Sequence, residues 1–267
     1  MQNRLNTILK SLLLAAVLTA SAAASAAAPA VKAPKPDTPK RVLFVGNSYF
    51  YYNASLHFHA RRVALAADSA WAKAFEYKSA TIAAAPLAHH NIEHLITPGN
   101  LGVKEPFELV ILQGNSTDAL SERGRNGFRD KAIEFSEMIA KRGGMTALYM
   151  TPAHVKPSKR AADTGMMRKT EELYVSVGNE IGALVIPVGL AFEEAYRRRP
   201  DIQLHQPYDG SHPTLLGTFL GAYTVYATLY GKSPVGNGYD FHGQIGAEDA
   251  AFLQQVADDT VKKFFGR

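Results

Sequence analysis

Short, largely apolar runs alternate with longer amphipathic segments from Arg41 to the end of the chain. The short runs predict strands at residues 42–45, 75–82, 109–113, 146–150 and 184–188. The longer segments predict helices near residues 55–67, 87–96, 122–142, 160–180, 189–198, 213–230 and 247–264. Apolar strands that alternate with helices are typical of a parallel sheet covered on both faces. We therefore expect one α/β domain, a three-layer α/β/α sandwich with a five-stranded parallel sheet.

The first forty residues follow a different pattern. Arg4 and Lys10 form a positively charged segment before an apolar stretch at residues 12–18, and Ala24-Ser25-Ala26 fits a signal-peptidase site. The stretch is too short to cross a bilayer, so residues 1–26 are expected to be a cleaved signal peptide rather than an anchor. Residues 27–40 are rich in Ala, Pro and Lys and predict a flexible spacer, which leaves residues 41–267 as the folded domain.

The amino-acid composition limits the cellular locations and the classes of binding partner that are expected. The chain has no cysteine, so it lacks both disulfides and the lipid-modified cysteine of a lipoprotein. We expect a periplasmic or secreted protein, without stable membrane insertion once the signal is removed. The formal net charge of +5 is mild, and no stripe of Lys and Arg with interleaved aromatic residues is present. Nucleic-acid binding is therefore not expected.

Candidate reactive residues follow the predicted strands. Ser48 comes directly after the first strand, Ala84 lies just past the second, and Asn115 follows the third. Sites in parallel α/β folds lie at the carboxyl ends of the strands, so these residues are expected to converge at one edge.

Two further residues can activate a serine. Asp209 and His212 stand three apart in a loop punctuated by Gly210 and Pro213, just before an apolar helix. A serine hydroxyl is a poor nucleophile unless a neighbouring base takes its proton. The His212 imidazole can serve as that base, and the Asp209 carboxylate can orient the imidazole.

These motifs together resemble the four sequence blocks of the SGNH (GDSL-type) hydrolase superfamily. The blocks here are Gly46-Asn47-Ser48-Tyr49, the segment 79–87 around Ala84, Gln113-Gly114-Asn115-Ser116, and Asp209-Gly210-Ser211-His212-Pro213. The resemblance covers residues 41–235, and the motifs are most similar to those of an exported bacterial branch with Gly-Asn-Ser in the first block.

The resemblance implies a flavodoxin-like strand order and a reaction that needs no metal or organic cofactor. It implies that Ser48 is the nucleophile, His212 the base and Asp209 the carboxylate of a triad. It also implies three oxyanion donors, which are the backbone N–H of Ser48, the backbone N–H of Ala84 and the side-chain amide of Asn115.

The chain departs from the family pattern in three blocks. Asn47 stands where better-known members carry Asp, which is expected to remove a structural contact and no member of the triad. Ala84 replaces a glycine, so its N–H can serve only if the backbone there does not require a positive φ. The third block is compressed, which leaves open whether Asn115 or Gln113 points to the oxyanion.

Further residues are candidates for substrate contact. The aromatic run at residues 49–52 begins at Tyr49 and is expected either to line an acyl pocket or sugar platform or to pack beneath the loop. His90 is expected to border the cleft, and His154 follows a predicted strand at the same sheet edge.

His90, Glu93 and His94 also read as His-x-x-Glu-His, an inverted form of a zinc-protease motif. On one helix the two histidines would share a face and could bind zinc. This predicts an alternative, zinc-dependent hydrolase, although no third ligand follows downstream.

The function expected from these residues is hydrolysis of a carboxylic ester through an acyl-enzyme, with a small-molecule or carbohydrate ester as substrate. A short acyl group on a sugar is the favoured substrate. The sequence leaves open an O-acyltransferase, which would pass the acyl group to another alcohol. It also leaves open a non-catalytic carbohydrate-binding protein on the same fold.

Overall fold

A parallel sheet of five strands forms the centre of the protein. The computed structural model describes residues 27–267. The strands are β1 (Arg41–Gly46), β2 (Glu76–Thr81), β3 (Leu109–Leu112), β4 (Met145–Tyr149) and β5 (Leu184–Ile186). Their order is β2-β1-β3-β4-β5, the flavodoxin-like order. The predicted sandwich around a five-stranded parallel sheet is confirmed.

Helices cover both faces of the sheet, because alternate residues of the strands are buried in different cores. On β1, Val42 and Phe44 belong to one core, and Leu43 and Val45 belong to the other. The helices are α1 (Ser48–Tyr51), α2 (Leu56–Ala67), α3 (Ser69–Ala72), α4 (Ile92–Ile96), α5 (Glu122–Lys141), α6 (Met166–Ile181), α7 (Val188–Arg198), α8 (Leu215–Tyr230) and α9 (Ala247–Phe265). Helices α2, α7, α8 and α9 cover the first face, and α4, α5 and α6 cover the second.

The strand register brings the loops after β1, β2 and β3 to one level. Gly46 of β1 is paired with Thr81 of β2, and Val45 is paired with Leu112 of β3. The chain turns to opposite sides after β1 and β3, which opens a crevice at the carboxyl ends of these strands. The loops that carry Ser48, Ala84 and Asn115 therefore border that crevice.

Residues 27–40 form no helix or strand and are hydrogen-bonded to the domain, while their flexibility stays a prediction. The Asn179 side chain on α6 donates to the carbonyl of Ala28 at 3.0 Å and accepts the N–H of Ala30 at 2.7 Å. The Tyr230 hydroxyl on α8 donates to the carbonyl of Pro39 at 3.1 Å. The predicted signal peptide, residues 1–26, lies outside the described residues. Across residues 27–267, no helix combines the length and apolar character that a membrane span requires.

Three histidines packed against the core make the fold sensitive to acid. Burial lowers the pKa of His57 to about 4 and that of His205 to about 3, and it also lowers the pKa of His59. The unfolded chain therefore takes up these protons first as the pH falls below 6.5, and the free energy of unfolding falls with it. Each such histidine contributes a slope of at most about 1.4 kcal/mol per pH unit.

Replacing His57 by glutamine is expected to flatten this dependence, because one proton-binding group of the unfolded chain is lost. Urea unfolding between about pH 7 and about pH 5 measures the slope. An unchanged slope in His57→Gln would contradict the assignment.

Candidate active site

Ser48 stands on a tight turn at the end of β1. It is the first residue of the single-turn helix α1, and its side chain faces the crevice edge with only 5% of the residue exposed. Gly46, just before the turn, packs against the Gln113 side chain. A Cβ at Gly46 would lie 2.5 Å from Gln113 Oε1, so only glycine lets the turn approach so closely.

His212 and Asp209 meet Ser48 from the loop before α8. His212 Nε2 lies 2.9 Å from Ser48 Oγ, and His212 Nδ1 lies 2.6 Å from Asp209 Oδ2. A carboxylate only accepts hydrogen bonds, so Nδ1 carries the proton and Nε2 is left to accept from the serine hydroxyl. The structure thus brings the three residues that the sequence singled out into one chain of hydrogen bonds.

The Asp209 carboxylate is fixed by its own loop. Its Oδ1 accepts the backbone N–H of Ser211 at 2.7 Å and that of His212 at 3.0 Å. Partial burial opposes ionisation, but these N–H groups and the His212 ring outweigh it and lower the pKa of Asp209. The carboxylate is therefore charged and oriented before any substrate binds.

Gly210 allows this loop to pack on the loop after β4. Its φ is +64°, and its carbonyl accepts the N–H of Val155 at 2.8 Å. A Cβ at Gly210 would lie 2.0 Å from the Val155 carbonyl oxygen, which belongs to the backbone and cannot swing aside. Any side chain at residue 210 must therefore displace the loop between Asp209 and His212.

Gly210→Ala is expected to destabilise the protein by about 3 kcal/mol, because backbone strain and a backbone clash combine, and to slow any reaction that depends on His212 at least about tenfold. Gly143→Ala is the matched control. Gly143 has φ +80° but nothing within 4 Å of its Cβ position, so only strain of about 1 kcal/mol is expected. Urea unfolding and steady-state kinetics measure both, and equal effects would contradict the role of the Val155 contact.

The candidate oxyanion donors lie around Ser48. Asn115 reaches the loop after β2, where its Nδ2 donates to the carbonyl of Ala84 at 3.2 Å. Among residues 27–267, the backbone N–H groups of Ser48 and Ala84 have no hydrogen-bond acceptor. Ala84 has φ +56°, the left-handed conformation that favours glycine, so the condition of a non-positive φ is not met. Alanine adopts this conformation at a cost of about 1 kcal/mol, and its N–H can still donate.

Gln113 is a buried structural residue rather than a crevice residue. Its side chain is fully buried, its Oε1 accepts the N–H of Asn47 at 2.9 Å, and its Nε2 donates to the carbonyl of Gly114. Asn115 lies nearer the surface, and the Asp118 carboxylate accepts its N–H at 2.7 Å. Burial raises the pKa of Asp118 to about 6. Of the two alternatives, Asn115 has the better placement for an oxyanion donor.

Asn47 makes structural contacts that a carboxylate could not make, which corrects the expectation that it removes one. Its Nδ2 donates to the carbonyl of Ala85 at 3.0 Å and to that of Gly114 at 3.3 Å. Its Oδ1 accepts the N–H of Tyr49 at 3.3 Å. With only 2% of Asn47 exposed, this side chain joins the turn after β1 to the loops after β2 and β3.

Asn47→Asp is therefore expected to cost about 3 kcal/mol of unfolding free energy, because a buried carboxylate would face two carbonyl oxygens. Asn91→Asp makes the same chemical change at an exposed helix N-cap, where Asn91 Oδ1 accepts the N–H of His94 at 3.1 Å. Aspartate caps helices as well as asparagine does, so almost no change is expected there. Urea unfolding measures the stability of both variants. An equal loss of unfolding free energy in both would count against the bridging role of Asn47.

The aromatic run after Ser48 begins with two buried residues and continues with an exposed Tyr51 and a half-buried Tyr52. Tyr49 and Phe50 are buried, and the Tyr49 hydroxyl lies 2.9 Å from Ser211 Oγ. Tyr52 stacks on the His212 imidazole, with ring centroids 4.4 Å apart and planes 7° apart. Of the two alternatives predicted for this run, Tyr49 fits packing beneath the loop, since only 5% of it is exposed. Its observed role is to join the nucleophile turn to the Asp209–His212 loop.

His154 belongs to a polar cluster beside the triad. Its Nε2 lies 3.0 Å from Ser116 Oγ and 3.1 Å from Ser211 Oγ, and its Nδ1 lies 2.9 Å from Ser158 Oγ. Burial lowers the pKa of His154, and the positive charge of Arg160 lowers it further. The sequence placed His154 at this edge but gave no sign of Ser116 and Ser211, because each is a single serine beside a more informative residue.

The predicted zinc alternative does not fit the structure. His90 lies in a short turn before α4 and is 7% exposed, whereas Glu93 and His94 are exposed on α4 itself. The Asn91 cap separates His90 from the helix, so the two histidines do not share a helix face. No group of three or more potential metal ligands occurs in residues 27–267. His90 is as buried as Ser48, so its burial does not decide whether it borders the cleft, and that expectation stays a prediction.

Comparison with known proteins identifies the fold. No protein-family model matches the chain, and no curated protein matches it. A DUF4886 family protein from Bacteroides uniformis superposes with a TM-score of 0.61 at 15% identity, over 82% of this chain and 93% of its own. A candidate SGNH hydrolase from Slackia heliotrinireducens gives a TM-score of 0.57 at 20% identity, over 72% and 99%. An acetyl xylan esterase gives a TM-score of 0.55 at 14% identity, over 70% and 98%. The chain therefore has the fold of the SGNH hydrolases.

Proposed function

We propose that the protein is a serine hydrolase of carboxylic esters. One observation carries the proposal, namely the unbroken line of hydrogen bonds from Asp209 through His212 to Ser48, with atom separations of 2.6 and 2.9 Å. A serine, a histidine of fixed tautomer and a charged carboxylate are the groups that acyl transfer requires.

The reaction proceeds in two halves. Ser48 Oγ attacks the acyl carbon while His212 Nε2 takes the hydroxyl proton, and the carbonyl oxygen becomes an oxyanion. The intermediate collapses to an acyl-serine, and the proton on Nε2 passes to the departing alcohol. A water molecule then attacks the acyl-serine, with His212 again as the base, and releases the carboxylic acid and free Ser48.

The oxyanion is stabilised by donors that are already in place. We assign this role to the N–H groups of Ser48 and Ala84 and to the amide of Asn115, and each such donor contributes on the order of 10²–10³ in rate. Asp209 holds the imidazole and stabilises its positive charge in both halves. No step of this sequence draws on a metal or an organic cofactor.

The solved relatives support an ester as the substrate. One is an acetyl xylan esterase, and another, from Parabacteroides merdae, is described as a GDSL-like lipase and superposes with a TM-score of 0.56 at 14% identity. Both names refer to ester hydrolysis. The identities are too low to transfer a substrate, so the proposal is confined to carboxylic esters.

The test uses the protein without mutation. We expect it to release nitrophenol from para-nitrophenyl acetate with a chelator present or absent, and we expect a fluorophosphonate probe to add one phosphonyl group to the peptide that contains Ser48. Mass spectrometry of the digested protein identifies the labelled peptide. Activity lost to the chelator, or labelling on another residue, would overturn the proposal, as would an inert and unlabelled protein.

The same assay separates hydrolysis from transfer to an alcohol. With added glycerol, a hydrolase releases mainly acetate, whereas an acyltransferase forms mainly glyceryl acetate while nitrophenol release continues. Predominant glyceryl acetate at low glycerol would therefore replace the hydrolase proposal by acyl transfer.

A further inference from the structure

Two exposed tyrosines stand beside the proposed catalytic histidine. Within residues 27–267 the large hydrophobic side chains that remain exposed are few, and they include Tyr51 at 40% and Tyr208 at 66%. Exposed aromatic rings beside a reactive group are a common feature of ligand-binding surfaces. Tyr208 directly precedes Asp209, and Tyr51 lies three residues after Ser48.

Tyr52 connects these two tyrosines to His212. Tyr52 stacks on the imidazole with a centroid distance of 4.4 Å, and Tyr51 stacks on Tyr52 at 5.6 Å with planes 28° apart. The Tyr208 hydroxyl lies 3.4 Å from the Tyr52 hydroxyl, and this contact raises the pKa of Tyr52 to about 12. We call Tyr51, Tyr52 and Tyr208 the tyrosine rim, which is continuous with the imidazole.

The path of the proton in the proposed reaction indicates which part of the substrate contacts the tyrosine rim. In the first half-reaction the proton on His212 Nε2 passes to the oxygen of the departing alcohol, so that oxygen must lie within hydrogen-bond distance of Nε2. The acyl oxygen lies instead among the donors of Ser48, Ala84 and Asn115. The alcohol portion is therefore on the side of His212, where the tyrosine rim begins.

We propose that the tyrosine rim binds the sugar of an acylated carbohydrate, with a pyranose ring stacked on the exposed faces of Tyr51 and Tyr208. This inference rests on the proposed ester hydrolysis and names its substrate class. The negative face of an aromatic ring attracts the polarised C–H bonds on one face of a pyranose, and the phenolic hydroxyls can pair with sugar hydroxyls. A long aliphatic alcohol would leave those hydroxyls without partners.

Binding is tested without turnover in Ser48→Ala. Xylohexaose, cellohexaose and the hexamer of N-acetylglucosamine are titrated separately and followed by calorimetry. We expect at least one of them to bind, and we expect Tyr208→Ala in the same background to weaken that binding about tenfold or more, since one stacked ring is lost. Val235→Ala is the matched control, because Val235 is a similarly exposed hydrophobic residue at 49% and lies outside the rim. Tyr208→Phe keeps the ring and is expected to retain most of the affinity.

Kinetics of the active protein give a second readout. Tyr208→Ala is expected to raise KM for acetylated xylohexaose about tenfold more than it raises KM for para-nitrophenyl acetate or for octyl acetate. A larger effect on octyl acetate would overturn the sugar assignment in favour of an aliphatic alcohol. Failure of all three hexamers to bind, together with equal effects on all three esters, would also overturn it.

The two proposals fail in different ways. If para-nitrophenyl acetate is hydrolysed and Ser48 is labelled, but the rim substitutions leave the sugar assays unaffected, the inference is wrong and the ester hydrolase stands. If no ester is hydrolysed and no serine is labelled, the ester hydrolase is wrong. Sugar binding that depends on Tyr208 would then identify a carbohydrate-binding protein.

Discussion

Replacing Ser48 with alanine is expected to lower kcat for para-nitrophenyl acetate by on the order of 10⁴–10⁶. The reaction loses its nucleophile, and the remaining oxyanion donors can only assist slow attack by water. The fold should be almost unaffected, because the one hydrogen-bond partner of Ser48 Oγ within residues 27–267 is His212, on the crevice edge. We expect a change of about 1 kcal/mol or less in unfolding free energy.

Ser116→Ala provides the matched control for this prediction. Ser116 Oγ lies 3.0 Å from the imidazole of a different histidine, His154. Ser116 also directly follows Asn115, a predicted oxyanion donor. We expect its removal to lower kcat less than about tenfold, since no oriented carboxylate completes a second triad there. A large loss in Ser116→Ala and a small loss in Ser48→Ala would move the nucleophile to the His154 cluster.

Asp209→Asn is expected to lower kcat by about 10⁴ while the protein remains folded. The asparagine amide would face His212 Nδ1 and force that nitrogen to accept a hydrogen bond, so the ring proton would move to Nε2. An imidazole with a proton on Nε2 cannot take the proton of Ser48. The loop would survive, because an amide oxygen can still accept the N–H groups of Ser211 and His212.

The measurement for Asp209→Asn is kcat together with urea unfolding. Asp163→Asn is the comparison, since Asp163 Oδ1 accepts the N–H of Gly165 at 3.0 Å in a similar turn that lies outside the hydrogen-bonded triad. We expect Asp163→Asn to keep full activity. If Asp209→Asn kept a large part of kcat, Asp209 would be a loop-forming residue and the tautomer argument would be wrong.

The sheet was predictable because each of its central strands is buried on both faces. The run 109–113 contains only apolar residues before Gln113, and the structure ends β3 at Leu112. Where a helix begins at a strong N-cap, its predicted bounds agree with the structure. The helix predicted at 122–142, for example, is α5, which begins directly after its cap Ser121. The predicted helix at 87–96 was wrong, because Asn91 caps a new helix and leaves a separate turn before it. An N-cap within a continuous apolar pattern is easily missed, since the apolar spacing continues through it.

The candidate site was predictable as far as it depends on residue type. Ser48, Asp209 and His212 carry reactive groups, so their positions after strands and in loops were informative. The direction of each aromatic side chain was not predictable, because Tyr49 and Tyr52 lie in the same short segment. Contacts with residues distant in the sequence bury Tyr49 and place Tyr52 against the His212 ring. The bonds of Asn47 join loops far apart in the chain and leave no local pattern.

The bridging of three loops by Asn47 also bears on which substitutions the site can tolerate. Ser48 follows Asn47, whose hydrogen bonds join the turn after β1 to the loops after β2 and β3 and form an inner layer of the site. A substitution in this layer disturbs all three segments together. Tyr51 and Tyr208 project from outside that layer, so mutation can alter them while the nucleophile keeps its position. Substitutions at Tyr51 and Tyr208 are therefore expected to leave the nucleophile in place, whereas substitution of Asn47 is expected to move it.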